Sequence, residues 1–377
     1  MMHQLEITPR DILFFRDGRP IGASDAGHGA DWPLPSTFHE ALLSAFHERW
    51  PELQPWEYAH KNQREKKAGM SWDQNWATSS MRFGGLKTAG PYPLCRGELL
   101  LPRPADIEVD AEGRPVLMRV RPEARGRSNL PEPLTGVVTP DAPPSKEAIG
   151  DWLTAAMFAD SLKGEAPEET VHSEAVFVSE SRPGIAIDPE SGTTEEGRFY
   201  SAEYLRLRDE VSLAAFAQCQ AVSHTPEDGA AVNDVLREFI TADKGEFVFG
   251  GQRGVVRLTD VRRKDTLMDH MKLPLESVST TTRVKWVLIA PAVFSRGWLP
   301  GFVDPETGQV QIRDPIESRR HHGEKRRDWR ERMRTLEPIR AKLVAARLPK
   351  ERVFSGWVQA TERNRRSNGR KTAGPKR

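Results

Sequence analysis

An α+β fold in two lobes is what the sequence predicts, and three observations carry it. The chain has 377 residues, more than one ordinary hydrophobic core usually serves, so two separate cores are expected. Its hydrophobic fraction is 37%, with 29 Gly and 29 Pro, which fits short elements joined by many turns and long loops rather than a helix bundle. The 10 Trp and 15 Phe supply enough large apolar surface to build cores, which argues against a disordered chain.

The elements follow in order. Leu5–Pro9 alternates as a strand does. The apolar burst that follows breaks at the turn signal Asp17-Gly18. A Gly/Ala/Asp loop over 22–31 leads to a helix on which Phe38, Leu42, Ala45 and Phe46 share one side. Ser36 or Thr37 is the expected cap, with Glu40 at capping-box distance from Thr37. Residues 60–90 are polar, holding Trp72, Trp76 and Phe83 among Arg82 and Lys87, and are expected to form an insertion loop. Short strands separated by prolines occupy 90–109, and residues 121–150 are Pro-rich and charged, a surface excursion. A short helix is expected near 147–159.

A second lobe is expected from residue 171. Its strand candidates lie at 172–180, 182–188, 195–207 and 211–222, with a helix at 231–240. Phe247–Phe249 and Val255–Leu258 flank Gly250-Gly251-Gln252-Arg253-Gly254 as the arms of a hairpin. Residues 283–294 form the most strand-like segment, a basic helix spans about 324–343, and closing strands follow at 341–348 and 353–357. The order β, helix, β-hairpin, helix, β is that of a ferredoxin-like lobe. The expected division is therefore 1–170, with insertions at about 60–90 and 121–150, then 171–360, then a basic tail over 361–377.

The net charge is only +1, yet the charges are clustered. Arg319–Arg334 carries eight Arg/Lys against three acidic residues, and Thr361–Arg377 carries seven against one. Such clustering on a neutral chain is the footprint of a phosphate-binding surface; for the first cluster a salt-bridged helix face is the equal alternative. Cys95 and Cys219 match no metal or disulfide spacing, so no structural metal is expected. Neither a signal-like N-terminus nor a run of about 18 apolar residues occurs, and a cytoplasmic protein without a membrane partner is the expectation. No Walker or dinucleotide fingerprint is present, so no cofactor is expected.

Several blocks, taken together and in order, resemble the Cmr-type RAMP family of type III-B CRISPR effector complexes, specifically its two-lobed third subunit. They are Ile7–Asp11 with Phe14–Pro20, Trp32–Thr37, Pro102–Asp106, Arg182–Asp188 with Glu195–Tyr200, Phe249–Gly251 with Arg253, Leu288–Pro291 with Gly297–Pro300, and Ser355–Trp357. The family usually continues beyond a Gly-Pro-Lys segment, here Gly374–Lys376, into an apolar strand, and this sequence departs from that pattern at Arg377. The resemblance implies two ferredoxin-like, RRM-like (RAMP) lobes with long loop insertions. It also implies a subunit that holds the 5′ repeat-derived tag of the CRISPR RNA, bridging the large polymerase-family Cmr subunit to the backbone RAMP subunit.

The residues themselves admit that role. Gly250 and Gly251 let backbone amides approach a phosphate, and Arg253 is placed to pair with it; a plain tight hairpin is the alternative. Arg16 and Arg19 flank Asp17-Gly18 as a guanidinium pair addressing phosphates, or as an ordinary surface turn. Ser36 and Thr37 open a helix whose free amides bind anions, or merely cap it. Arg370 and Lys371 in the tail complete the candidate RNA contacts. Trp72, Trp76 and Phe83 either stack on bases or anchor the insertion. Among ten histidines, His28 sits in a glycine loop, His39 and His47 share a helix face, and His321-His322 lie in the basic run. None has an evident catalytic partner, so no catalytic residue is expected; a metal-independent RNA-processing endonuclease and a protein-only adaptor are the rivals.

Overall fold

The computed structural model describes residues 2–16, 30–50, 83, 85–121, 133–141, 145–187, 192–223, 231–242, 244–261, 283–292, 294, 297–313, 317–318, 321, 324–338 and 340–348. Arg19, His28, Trp72, Trp76, Arg82, His322, Trp357, Arg370, Lys371 and the tail at 361–377 lie outside the described residues.

The strands are β1 His3–Pro9, β2 Lys87–Cys95, β3 Glu98–Pro102, β4 Ile107–Val109, β5 Pro115–Leu117, β6 Arg119–Arg121, β7 Val137–Thr139 and β8 Trp152–Thr154. They continue with β9 Phe177–Ile187, β10 Thr194–Leu207, β11 Val211–Gln218, β12 Gln220–Ser223, β13 Ala231–Asp234, β14 Glu246–Val248 and β15 Val255–Asp260. The helices are α1 Pro35–Arg49, α2 Ala155–Lys163, α3 Val235–Ala242 and α4 Arg326–Thr335. Antiparallel strands with separate helices give the expected α+β class.

Seven strands form the main sheet in the order β14-β15-β1-β11-β2-β3-β8. Within it, β11 lies between β1 and β2 and is antiparallel to both, while β15 flanks β1 on the other side. In chain order β1, α1, β2, β11, α3 and β15 follow one another as β-α-β-β-α-β around this sheet. The long stretch 96–210 is inserted between β2 and β11. The boundary expected at 170/171 therefore does not divide the sheet. Alternation in a strand reports which face is buried, not which strand it pairs with.

Period-two alternation decides the core. Leu5 and Ile7 of β1, Leu213, Ala215 and Ala217 of β11, and Val256 and Leu258 of β15 all turn to one face. There they meet Phe38, Leu42 and Phe46 of α1 and Leu236 and Phe239 of α3. A second core joins Tyr92, Leu94, Leu101, Ile107, Leu153 and Phe158, so β2, β3, β8 and α2 share it. α2 begins where Thr154 Oγ1 accepts from the Met157 amide at 3.3 Å and ends at Gly164, whose φ of +94° is left-handed.

Several sequence expectations shift. Leu34, not Ser36 or Thr37, is the N-cap of α1; no side chain caps it, and Pro35 stands at its first position. Proline's fixed φ preorganises that turn, and the amide it lacks at the first position would have no partner within the helix. The helix near 147–159 starts later, because Trp152–Thr154 pairs with β3 first. The helix at 231–240 is β13 followed by α3, with Asp234 Oδ1 accepting from the Arg237 amide at 3.2 Å. Residues 283–292 form neither strand nor helix and bend at 289–290. Their alternation is nonetheless used. Val287 and Ile289 pack on the second core, Lys285 reaches Asp106 at 2.8 Å, and Val284 and Trp286 stay exposed.

Candidate nucleic-acid interface

Two of the sequence blocks that carry the resemblance meet in space, beside the ribbon on which a third lies. After β1 the chain runs on as a strap, residues 10–16, between the β9–β10 ribbon and the glycine hairpin. Leu13 exchanges two backbone hydrogen bonds with Leu205 of β10, at 2.9 and 2.7 Å. On the other side the Gly251 amide donates to the Phe14 carbonyl at 2.8 Å. Leu13 and Phe15 are buried, while Asp11 and Arg16 are exposed. Phe15 packs on Phe249 with ring centroids 4.9 Å apart, and Phe14 meets Tyr204 at 5.3 Å.

This packing explains the glycines. A Cβ on Gly250 would stand 2.6 Å from the Phe14 carbonyl oxygen, and one on Gly251 would stand 2.8 Å from Phe14 Cδ1. Gly250 also has φ +85°, open to glycine at little cost. The Gly251 amide is engaged by Phe14, so it is not an open phosphate donor, and both glycines serve the close approach of the strap. At the hairpin tip Gln252 and Arg253 both have φ +54°, and Arg253 is exposed. The Phe14–Gly251 bridge is antiparallel. Arg16 follows it two residues along the strap, and Arg253 follows it two residues along the hairpin turn, so both exposed arginines stand beside the junction.

A chain of charges ties the ribbon to the strap. Arg206 of β10 reaches Glu180 of β9 at 2.5 Å and Asp11 of the strap at 3.4 Å. Arg182 reaches the same Glu180 at 2.7 Å and lies over the Tyr204 ring at 5.6 Å. The Arg206 and Arg182 hydrogen bonds hold the Glu180 carboxyl below the usual carboxylate range. Arg10 and Arg257 share Glu246 in the same way, at 2.6 and 3.1 Å, tying the strap's start to β14 and β15.

The other candidates fall elsewhere. Ser36 is exposed and Thr37 half-buried at the start of α1. Trp32, from the same block, is a structural anchor: its indole N–H donates to the Pro91 carbonyl at 2.8 Å, and its ring meets Trp152 and Phe177. Arg103 is likewise structural, donating to the Gly150 carbonyl at 2.8 Å and to that of Ile107. Phe83 is buried against Phe46 and Trp50 and cannot stack on a base; it anchors the insertion.

A family model described as "CRISPR-associated protein (Cas_Cmr3)" matches residues 5–374. The chain belongs to this family. No curated protein is similar in sequence. Among solved structures, a chain of a type III-B Cmr-beta complex bound to cognate target RNA and AMPPnP is 16% identical, with a TM-score of 0.34, covering 69% of this chain and 64% of that one. A chain of the Cmr-beta complex bound to cognate target RNA is 17% identical, with a TM-score of 0.33, covering 70% and 65%. A Csm1–Csm4 cassette in complex with cA4 is 13% identical, with a TM-score of 0.28, covering 71% and 73%. The chain spans slightly less than two thirds of the first two.

In this family member the histidines on α1 do not meet. The His39 ring bonds the Thr88 hydroxyl at 3.2 Å, and the His47 ring packs on Phe83. His321 is exposed. Among the described residues, no group of three or more His, Cys, Asp or Glu is placed to hold a metal. Likewise no helix is long and apolar enough to cross a membrane.

Sequence reasoning missed one polar cluster. His3 is 5% exposed and stands between two carboxylates, Nε2 at 2.6 Å from Asp234 and Nδ1 at 2.8 Å from Asp260. Both ring nitrogens donate only in the imidazolium form. Burial pushes the His3 pKa down, but hydrogen bonds to Asp234 and Asp260 outweigh it and leave it raised. His3 lies more than 200 positions from either carboxylate, so no spacing signal marks the cluster.

Proposed function

We propose that this chain is a non-catalytic, RNA-binding subunit of a type III-B CRISPR effector complex. It holds the 5′ repeat-derived tag of the CRISPR RNA and bridges the large polymerase-family subunit to the backbone RAMP subunit in the cytoplasm, using two ferredoxin-like lobes. The observation that carries the reading is the convergence of the strap, the ribbon and the glycine hairpin on one junction flanked by Arg16 and Arg253. The two exposed arginines are the phosphate contacts of this reading. Ser36 and Thr37 at the α1 start, and Arg19, Arg370 and Lys371, are the further contacts of this proposal. The role of Gly250 and Gly251 becomes indirect: they position the strap.

The test is an affinity pull-down of the tagged full chain from its native host, with RNA and proteins identified, alongside an Arg16→Gln/Arg253→Asn double variant. Guide RNAs sharing one 5′ end, co-purifying with several RAMP subunits and depleted in the double variant, support the reading. A discrete RNA cut by the purified chain in EDTA would establish the nuclease instead. Partner recovery with no salt-sensitive RNA affinity would establish the adaptor.

A further inference from the structure

The helix α4 has two faces of opposite character. One is fastened to the protein. The Trp329 indole N–H donates to the Ser318 carbonyl at 2.9 Å, and Arg332 makes two hydrogen bonds to the Glu324 carboxylate, each 2.9 Å. Arg313 closes the helix end by donating to the Leu336 carbonyl at 2.8 Å. The Arg332 hydrogen bonds, helped by the His321 amide, pull the Glu324 pKa down to about 2.

The other face is a stripe of arginine. Arg326, Arg330 and Arg334 follow at i, i+4 spacing, with Arg327 beside them, and all four are exposed. No ion pair among the described residues engages them. Asp328 and Glu331 fall to the sides of the stripe.

This arrangement works against the helix itself. Like charges at i, i+4 repel, and Lys325, Arg326 and Arg327 crowd the helix N-terminus, where the backbone dipole disfavours cations. A sequence that sets charges against local rules, on an element otherwise well fastened, marks a surface that has another use.

We infer that the Arg326/Arg327/Arg330/Arg334 face of α4 is a second nucleic-acid contact, binding the phosphate backbone of an RNA strand without reading its bases. The guanidinium fork suits phosphate bidentately. Of the two large apolar residues of α4, both half-buried, Trp329 lies on the fastened face and Met333 at the edge of the stripe, whereas a protein interface places apolar and aromatic residues at its centre. The inference rests on the proposed RNA-binding role only in taking the polyanion to be RNA.

The experiment measures binding of a fluorescent oligouridylate to the full chain by anisotropy over a salt series. Each single-strand phosphate contact contributes about 0.7 to the slope of log affinity against log salt. The Arg326→Gln/Arg330→Gln/Arg334→Gln variant should flatten the slope by about 2, and the corresponding triple lysine variant should restore most of it. A slope unchanged by the glutamine variant, while the Arg16→Gln/Arg253→Asn variant lowers it, overturns this inference and leaves the proposed function standing. A wild-type chain without salt-dependent affinity overturns both. A glutamine variant that keeps the slope but loses a co-purifying protein subunit also overturns it, in favour of an acidic protein partner.

Discussion

Replacing His3 by alanine should destabilise the protein in a way that fades as pH rises. His3 begins β1, Asp234 stands where β13 meets α3, and Asp260 ends β15, so one imidazolium ties three elements around the main sheet. A hydrogen bond to a charged group contributes about 1.5–3 kcal/mol. The Asp260 carboxylate is 38% exposed against 27% for Asp234, so solvent screening discounts its share. Together the two bonds should contribute about 2–4 kcal/mol while His3 is charged. The folded pKa is raised above the ordinary 6.5, so this stability is fully present below the unfolded value and lost as pH rises through the folded one. Urea unfolding of wild type and His3→Ala, at about pH 6 and about pH 9, reads the gap between them. Urea is chosen because it leaves the ionic strength unchanged. The gap should be widest at the lower pH and shrink at the higher. A gap that stays constant, or widens as pH rises, would refute a charged His3 clamp.

Three further outcomes follow from the packing. Gly250→Ala should cost about 1–3 kcal/mol from its left-handed backbone, with an additional clash against the Phe14 carbonyl; thermal unfolding checks this, and RNA affinity should fall with it as the strap shifts. Phe46→Ala, which empties a ring packed on Phe83, Trp50 and Phe239, should cost about 3–5 kcal/mol in urea unfolding. Arg253→Asn keeps a residue tolerant of the left-handed turn, so it should leave the melting temperature unchanged while lowering the salt slope of RNA binding by about 0.7.

What could be read from the sequence was local. The alternation in β1, the one-sided apolar stripe on α1, and the hairpin around Gly250 all report periodicity and turn chemistry, and each element forms where those signals lie. Partner choice was not legible. Nothing in Val211–Gln218 says that it enters between β1 and β2, because strands 116 residues apart (Cys95 to Val211) are joined by tertiary packing alone. The segment 283–289 shows the converse: its alternation correctly separates an inward from an outward face, yet no ladder follows, since a period reports burial and not hydrogen bonding. Arg16 and Arg253 were legible as arginines beside glycine turns, but not the Phe14–Gly251 bridge that brings their segments together.

The glycines at the hairpin change how the junction should be understood. If Gly250 and Gly251 cradled a phosphate, their amides would face solvent and the strap would be free to lie elsewhere. Instead the Gly251 amide holds Phe14, and the missing Cβ atoms let Phe14 and Phe15 close onto the turn. The strap is thereby pinned from one side by the hairpin and from the other by Leu205, while the Asp11–Arg206–Glu180–Arg182 chain fixes its charged edge to the ribbon. Under the proposed function, phosphate contacts then fall to exposed arginines presented on a rigid frame, which would lower the entropy lost when a strand binds. The consequence is an ordering of effects: glycine and aromatic changes at the junction should alter affinity and stability together, whereas changes at Arg16 or Arg253 should alter only the salt-dependent affinity, and changes at the α4 stripe should lower it without destabilising the protein.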